Sequence, residues 1–451
     1  MRLADKGYYV RFLNPLYNML KKAYTLCCRN RYKTFWVLFA IVQIYLYFTN
    51  EPINYNEPPP SGDLSLYHYW IDRGTQFGVW PILHEPSVYP PYAFIPMLFA
   101  GIFSYQNLFL FKIIWYFLMM FLWGFGLKLL WEQVDKSSKS KISNSFTDIF
   151  HLGYGSCYYA LFYMLAMGGV FSSRIDCMAA VLGLYGFIAL KNSEKATSAF
   201  FTAAAWTKVF VGANFTPLFF ATKKKVKNVI LPACIVSAPI LLLMFACQNH
   251  FYPLSFLQGQ SSRNLQIESV AATPSMVSEL FTGAHNIIYN NTIYTNEIIS
   301  PVCDFIAQIL NYILVLATAI ILFLVFRARK ADETQLILSG GLAVILGLIV
   351  FNKVGSPQYF TALLPTLAYA LSTEYKKQWK ITCILGFFVA LFTQMIFPGV
   401  YKYIINYDPY HYLGILCLAI RNCLVIALFI VVIYNLYKLG SKVPKDSKVS
   451  K

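Results

Sequence analysis

Residues 34–50 read TFWVLFAIVQIYLYFTN, and residues 51–92 read EPINYNEPPPSGDLSLYHYWIDRGTQFGVWPILHEPSVYPPY. The first stretch is an apolar run long enough to cross a bilayer as a helix. The second holds five of the chain's 20 acidic residues against one basic residue, Arg73, whereas residues 1–33 hold eight Lys and Arg. Because cytoplasmic loops collect Lys and Arg, this contrast predicts a cytoplasmic N-terminus and an outer loop at residues 51–92.

The composition of the whole chain predicts a membrane protein. Of the 451 residues, 57% are hydrophobic and 13% are charged, and a soluble globule of this composition would expose a large apolar surface. The net charge of +17 comes from short basic clusters between apolar runs. No basic stripe typical of nucleic-acid binding is present, so we expect no nucleic-acid partner.

Ten apolar stretches have the length of membrane-spanning helices. They cover residues 34–50, 107–131, 149–167, 176–190, 228–247, 301–326, 334–352, 358–373, 381–397 and 413–437. With the N-terminus inside, this topology places 28 of the 37 Lys and Arg in cytoplasmic segments. Residues 1–33 and 438–451 are then basic cytoplasmic segments, and residues 34–437 form one transmembrane domain of a multi-pass protein of the cell membrane.

Two stretches do not read as simple spans. Residues 93–103 are short for a membrane helix and contain Pro96, which favours a re-entrant or interfacial helix. Residues 196–222 have basic clusters at both ends and Lys208 in the middle, which favours a hairpin from the cytoplasmic side; a single span is the alternative. The predicted fold class is an all-α polytopic membrane protein, with about ten transmembrane helices plus re-entrant or interfacial helices.

The outer loops hold most of the remaining ionisable groups. These loops are predicted at residues 51–106, 168–175, 248–300, 352–357 and 398–412. Long loops in a compact protein usually carry function. A transporter would more often place such groups at the bilayer midplane within inverted repeats, and the sequence has no inverted repeat.

Several motifs along the chain carry a family resemblance. In chain order they are GDLSLYHYW (62–70), VYPPYAFIPMLF (88–99), SRIDCMAAVLGLYG (173–186), AAWTKVFVGANFTPLFFATKKK (204–225), LSFLQGQSSRNLQIESVAATP (254–274) and NKVGSPQYFTALLP (352–365). This ordered set resembles glycosyltransferase family 87, the bacterial polyprenol-phosphate-mannose-dependent enzymes of the GT-C superfamily. Asp63 is followed by Leu64 where some lipid-sugar transferases carry a second acid, so a metal-binding acidic pair is not supported.

The resemblance implies an activity. A family member would transfer mannose from a polyprenyl-phosphate donor to a lipid or glycan acceptor at the extracytoplasmic face, with inversion and without a metal or other cofactor. Besides donor and acceptor, we expect membrane lipids as partners. Two alternatives stay open: a lipid or polysaccharide transporter, and an arabinosyl or other pentosyltransferase of the same superfamily.

Asp63 is the candidate catalytic base, because an alcohol attacks poorly until its proton is being removed. It follows Gly62, which lets substrate approach the backbone closely, and Pro58–Pro60, which stiffen the loop. The alternative is that Asp63 only caps a helix beginning at Leu64. Glu268, in the sequence LQIES, is a second candidate base.

Cations near the donor phosphate would stabilise the developing anion. The outer-side candidates are Arg174, Lys353 and Arg263, and Lys208 joins them if the hairpin tip reaches the cavity. Each has a simpler alternative. Arg174 has Asp176 two residues away as a local ion-pair partner, Lys353 is placed to snorkel to the interface, and Lys208 suits a buried pair.

The remaining candidate residues would contact the substrate. Tyr67 and Tyr89 suit stacking on a sugar face or, as the alternative, an interfacial aromatic belt. Pro90 and Pro91 fix the backbone direction at Tyr89. The full predicted substrate-binding set is Tyr67, Tyr89, Asp176, Glu268, Ser356, Gln358 and Tyr359.

Overall fold

A computed structural model describes residues 30–50, 62–137, 154–260, 263–283, 286–291 and 295–441. Most of the two predicted basic end segments, residues 1–33 and 438–451, lies outside these ranges. The structure is 79% helical and has almost no strands. The coarse prediction of an all-helical architecture is therefore confirmed.

Among the residues that the structure describes, six helical segments are long and apolar enough to cross a membrane, judged by length and composition. They are Leu108–Lys136, Val226–Ala246, Pro301–Arg327, Glu333–Val350, Lys376–Ile405 and His411–Ser441. Each overlaps one of the predicted spans. The other four predicted spans overlap helices that are shorter or less apolar, Arg31–Phe48, Gly155–Met167, Asp176–Leu190 and Leu364–Ser372. Six candidate spans are thus found, and a total of ten stays a prediction.

Shorter elements connect these helices. The remaining α-helices of the described residues are Gly62–Phe77, Phe94–Ser104, Gly169–Ser173, Glu194–Thr207, Val209–Gly212, Phe215–Ala221 and Thr273–Thr282. Within the candidate spans, Val226–Ala246 contains the α-helix Leu231–Ala246, and Lys376–Ile405 contains the α-helices Lys376–Gln394 and Tyr401–Ile405. Three 3-10 helices cover Pro91–Ala93, Tyr252–Gln260 and Pro357–Leu363, and two π-helical stretches cover Val226–Ile230 and Met395–Val400. The strands Ile287–Asn290 and Thr295–Ile298 form an antiparallel pair.

Helix Gly62–Phe77 carries Asp63 in its first turn. Its buried residues recur at helical spacing, so one face of the helix packs against the protein: Leu64, Tyr67, His68 and Ile71. The Tyr67 ring centroid lies 5.4 Å from that of Trp115 in the helix Leu108–Ser137. This aromatic packing fixes the position of helix Gly62–Phe77, and therefore of Asp63, against helix Leu108–Ser137.

The segment predicted as a hairpin, residues 196–222, folds back at Lys208. Helix Glu194–Thr207 ends there, because Lys208 is extended with φ −158° and ψ 126°. Two short helices, Val209–Gly212 and Phe215–Ala221, then lead the chain back. The hairpin geometry is present, and its direction of approach to the bilayer stays a prediction.

Two contacts define the arms of this hairpin. Near the tip, a Cβ on Gly212 would lie 2.3 Å from the Ala205 Cβ, so only glycine permits the close return. At the far end, the Asn228 side-chain amide donates a hydrogen bond to Glu194 at 2.6 Å. The start of the first arm, at Glu194, therefore lies close to the chain just after the second arm, at Asn228, and Lys208 lies at the turn between the two arms.

Candidate active site

A cavity of about 570 Å³ brings together side chains from distant parts of the chain. Six of the sequence-predicted site residues line it: Asp63, Arg174, Arg263, Glu268, Ser356 and Gln358. The other lining residues are Gln266, Ile287, Tyr289, Thr295, Asn296, Val354, Pro357, Phe397, Tyr401, Ile405 and Asn406. We call this space the main cavity. Its lining combines two carboxylates, two guanidinium groups, several side-chain amides and three aromatic rings.

Asp63 and Arg174 form an ion pair at the wall of the main cavity, between Asp63 Oδ1 and Arg174 Nη1. The other carboxylate oxygen, Oδ2, lies 3.4 Å from the Tyr89 hydroxyl and 3.5 Å from the Tyr67 hydroxyl. The helix begins at Gly62, so Asp63 lies inside the first turn. The alternative of a capping residue for a helix beginning at Leu64 is therefore wrong.

The two tyrosines orient the carboxylate from behind. Their hydroxyl oxygens lie 3.4 Å apart, and the backbone N–H of Ile175 donates to the Tyr67 hydroxyl at 3.3 Å. Burial raises the pKa of both phenols well above its ordinary value, so both remain protonated donors at neutral pH. Tyr67 and Tyr89 thus position Asp63 and do not line the main cavity themselves.

A second ion pair lies behind the first. Lys208, at the hairpin tip, places its Nζ 3.5 Å from Asp176 Oδ2. The same ammonium group lies 4.7 Å from the Tyr89 ring centroid and 5.7 Å from that of Tyr359. The local pairing of Arg174 with Asp176 is wrong, because each has a different partner. The buried pair considered for Lys208 is confirmed.

The position of the pair formed by Lys208 and Asp176 argues against their predicted roles in binding phosphate and substrate. Lys208, Asp176 and Tyr359 are not among the residues that line the main cavity. They lie one layer deeper, where Asp176 and Lys208 neutralise each other. A contact between these three side chains and a substrate is therefore not supported by the described geometry.

Glu268 reaches the main cavity from the loop that precedes helix Thr273–Thr282. Its Oε2 accepts a hydrogen bond from the Gln266 amide at 3.2 Å. Gln266 is oriented in turn by the Gly355 N–H, which donates to its Oε1 at 2.8 Å. A Cβ on Gly355 would lie 2.2 Å from the Glu268 carbonyl oxygen, so the two segments touch only because residue 355 is glycine.

Arg421 holds Glu268 from the opposite side. This arginine is fully buried in helix His411–Ser441, one of the candidate spans. Its Nη1 lies 3.7 Å from Glu268 Oε1, and its Nη2 donates to the Glu268 carbonyl. The neighbouring Asn422 amide donates to the Ser269 carbonyl at 3.2 Å. The helix therefore clamps the loop that presents Glu268.

Burial raises the pKa of Glu268 to about 7, against the opposing fields of Arg421 and Arg174. A carboxyl group with this pKa changes its protonation state near neutral pH. Glu268 is the second candidate base predicted from the sequence, whereas Arg421 is not among the predicted site residues. An ionisable residue inside an apolar span is itself a signal of function, and that signal was present.

The opposite wall of the main cavity is amide-rich and aromatic. The Asn296 side-chain amide donates to the Tyr401 hydroxyl at 3.0 Å. The Tyr401 ring packs against Phe397 with centroids 5.4 Å apart. Rings and side-chain amides of this kind suit the faces and hydroxyls of a sugar. No sequence pattern indicates this wall, because its residues come from a strand and from the segment after helix Lys376–Gln394.

Lys353 lies away from the main cavity. It lines a neighbouring space of about 860 Å³ together with Arg263, Asp304 and Gln308. Of the predicted phosphate-binding cations, Arg174 and Arg263 therefore line the main cavity with Asp63, and Lys353 does not. Arg263 lines both spaces and is the shared residue.

Comparisons of the chain with models of known protein families, with curated proteins and with solved structures find no match. Among the residues that the structure describes, no three His, Cys, Asp or Glu side chains are grouped so that they could hold a metal ion.

Proposed function

We propose that this chain is an integral membrane glycosyltransferase with a GT-C-like fold. It moves a sugar, mannose by the resemblance stated above, from a polyprenyl-phosphate donor to a lipid or glycan acceptor on the extracytoplasmic face. The observation that supports this best is the grouping of Asp63, Glu268, Arg174 and Arg263 with amide and aromatic side chains around one cavity. Ten spans, cytoplasmic termini and a cell-membrane location belong to the same proposal.

Asp63 is the catalytic base of the proposed reaction. Its carboxylate takes the proton of the acceptor hydroxyl while the hydroxyl oxygen bonds to the anomeric carbon of the donor sugar. The bond from that carbon to the phosphate oxygen breaks, and its electron pair leaves with the polyprenyl phosphate. Attack from the face opposite the phosphate inverts the anomeric centre.

Arg174 is placed to bind the donor phosphate next to this base. A guanidinium group has five N–H donors, and Asp63 takes only Nη1. The buried Arg174 Nε has no hydrogen-bond partner among the described residues. Charge-assisted hydrogen bonds from such a group stabilise a phosphate as its negative charge grows. Arg263, which also lines the main cavity, is the second candidate for this phosphate.

Glu268 supplies a different function from Asp63, because its environment is different. With a pKa of about 7 it is partly protonated at neutral pH. A protonated carboxyl donates a hydrogen bond where an ionised one only accepts. Glu268 thus suits a hydrogen bond to a sugar hydroxyl, while Asp63 accepts the proton.

The experiment that tests the proposal is a transfer assay of the purified protein. Mannose, glucose and arabinose are each supplied on polyprenyl phosphate, with a membrane extract as acceptor, and the anomeric configuration of the product is determined. Inverted mannosyl product is the expected result. Arabinosyl product alone would identify a pentosyltransferase. Movement of lipid across reconstituted vesicles without transfer from any donor would identify a transporter.

A further inference from the structure

The space that holds Lys353 is a second cavity with its own composition. We call it the side cavity; it is lined by Arg263, Asn264, Asp304, Gln308, Asn311 and Lys353, among others. Its volume, about 860 Å³, lies within the usual range of ligand pockets. None of the steps proposed for the main cavity uses this space.

One wall of the side cavity is a polar stripe on a helix that is otherwise apolar. Asp304, Gln308 and Asn311 follow one another at helical spacing on Pro301–Arg327 and all line the cavity. At 1.5 Å of rise per residue, the stripe extends about 10 Å along the helix. It begins at the helix end that adjoins the predicted outer loop of residues 248–300.

The rest of this helix is suited to contact with lipid. Val302, Phe305, Val315 and Leu316 on the same helix are all exposed, as are Gln308 and Asn311 of the stripe. Uncompensated polar side chains at membrane depth are costly, and they occur where they face a protein interior or a water-filled cavity. The stripe therefore predicts a hydrated space that borders the bilayer from the side.

Two other lining residues of the side cavity, Arg263 and Lys353, are cationic. Among the described lining residues, Arg263 and Lys353 carry two positive charges and Asp304 carries one negative charge. Lys353 is 7% exposed, and burial lowers its pKa, so an anion beside it would stabilise its charged form. A cationic pocket beside a lipid-facing helix matches a molecule that has an anionic head and an apolar tail.

The side cavity is coupled to the main cavity through two connections. Arg263 lines both spaces. The Lys353 carbonyl accepts a hydrogen bond from the Gln266 N–H at 3.0 Å, while Val354 and Ser356, one and three residues on, line the main cavity. Arg263 and the segment from Lys353 to Ser356 therefore border both spaces.

We propose that the side cavity binds the phosphate-bearing headgroup of an amphiphile whose tail lies in the bilayer beside Pro301–Arg327. We further propose that this amphiphile is the acceptor of the sugar transfer, an assignment that rests on the function proposed above. The acceptor class is then a phosphorylated lipid or lipid-linked glycan, with its phosphate at Lys353 and its reacting hydroxyl in the main cavity.

Binding is tested first, without any reaction. The purified protein is held in nanodiscs of neutral lipid, and short-chain phosphatidic acid is the probe, compared with diacylglycerol of the same chain length and with inorganic phosphate. We expect the phosphatidic acid to bind best. Lys353→Gln should weaken its binding about ten- to a hundredfold, the effect of losing a charge-assisted contact. Lys402→Gln, a matched change that lies outside both cavities, should have no effect.

Two further variants separate the parts of the proposal. Gln308→Leu removes polarity from the stripe without changing charge and should also weaken binding. Asp63→Asn should leave phosphatidic acid binding intact, because Asp63 lies in the main cavity. In the transfer assay, Lys353→Gln should raise the KM for a phosphorylated acceptor and leave the KM for the donor unchanged.

The outcomes are distinguishable from failure of the proposed function. Equal binding of diacylglycerol, binding of inorganic phosphate as tight as that of phosphatidic acid, or unchanged binding by Lys353→Gln would each overturn the site. If phosphatidic acid binds in a Lys353-dependent way but no donor supports transfer, the binding site is supported. The same result refutes both the acceptor role of the site and the proposed transferase function.

Discussion

Replacing Asp63 by Asn tests the proposed base most directly. The change keeps the size of the side chain and its hydrogen bond from Tyr89, and it removes the proton acceptor. General base catalysis typically contributes a factor of about 100 to 10,000 to a rate. We therefore expect the turnover of Asp63→Asn to fall within that range.

The same change also breaks an ion pair, and the structure bounds that cost. The Asp63 and Arg174 side chains are 24% and 10% exposed. Exposed pairs contribute about 0 to 1 kcal/mol, and breaking a fully buried pair costs about 3 to 5 kcal/mol. For this intermediate position we expect a loss of about 2 kcal/mol in the free energy of unfolding.

Asp176→Asn is the matched control, because it makes the same chemical change one layer deeper. Asp176 is 3% exposed and pairs with Lys208, and it does not line the main cavity. We expect it to destabilise the protein at least as much as Asp63→Asn and to slow transfer much less. Turnover with saturating donor and the thermal unfolding midpoint are measured for both variants in the same detergent.

Two results would refute the reasoning. Near-normal turnover of Asp63→Asn would show that Asp63 is structural and would make Glu268 the next base to test. An equal loss of turnover in both variants would show that the ion pairs act only by holding the fold. A double variant, Asp63→Asn with Arg174→Gln, removes both charges and should recover stability but not turnover.

Three further predictions concern the surroundings of Asp63. The folded-state pKa of Glu268, about 7, lies above its ordinary value of 4.5, so the free energy of unfolding should fall as pH rises from about 4.5 to 7, by at most about 1.4 kcal/mol per pH unit, and then level off. The thermal unfolding midpoint of Glu268→Gln should lack this pH dependence, and a variant with the same pH profile as the original protein would contradict the burial of Glu268. Gly355→Ala should cost about 1 to 3 kcal/mol in thermal unfolding through its clash with the Glu268 carbonyl, whereas Gly62→Ala, with nothing within 4 Å, should be nearly neutral; equal effects would refute the close contact. Arg174→Ala should weaken donor use about ten- to a hundredfold in donor titrations, and Lys402→Ala should not; equal small effects would place the phosphate elsewhere.

The apolar runs by themselves determined the class of protein and most helix positions. The predicted span 301–326 matches helix Pro301–Arg327, and the predicted span 413–437 lies within His411–Ser441. The break at Lys208 was also readable, since a lysine in the middle of an apolar segment is costly unless it is paired. Local patterns sufficed here because length and apolarity decide whether a segment forms a membrane helix.

The pairing of charges was decided only by the tertiary structure. Sequence proximity favoured Arg174 with Asp176, but the chain turns between them. Helix Asp176–Leu190 begins at Asp176, and Arg174 precedes it in extended conformation. The two side chains therefore diverge, and Arg174 meets Asp63 while Asp176 meets Lys208.

The positions of Lys353 and Arg421 were likewise decided only by the tertiary structure. Lys353 and Val354 are adjacent in sequence, yet they line different cavities, because a turn presents successive side chains in different directions. Arg421 acts on Glu268 only because the helix His411–Ser441 packs beside the loop that carries Glu268. Sequence spacing fixes neighbours along one element, whereas the partner of a buried charge is set by the packing of separate elements, which minimises uncompensated charge in a medium of low dielectric constant.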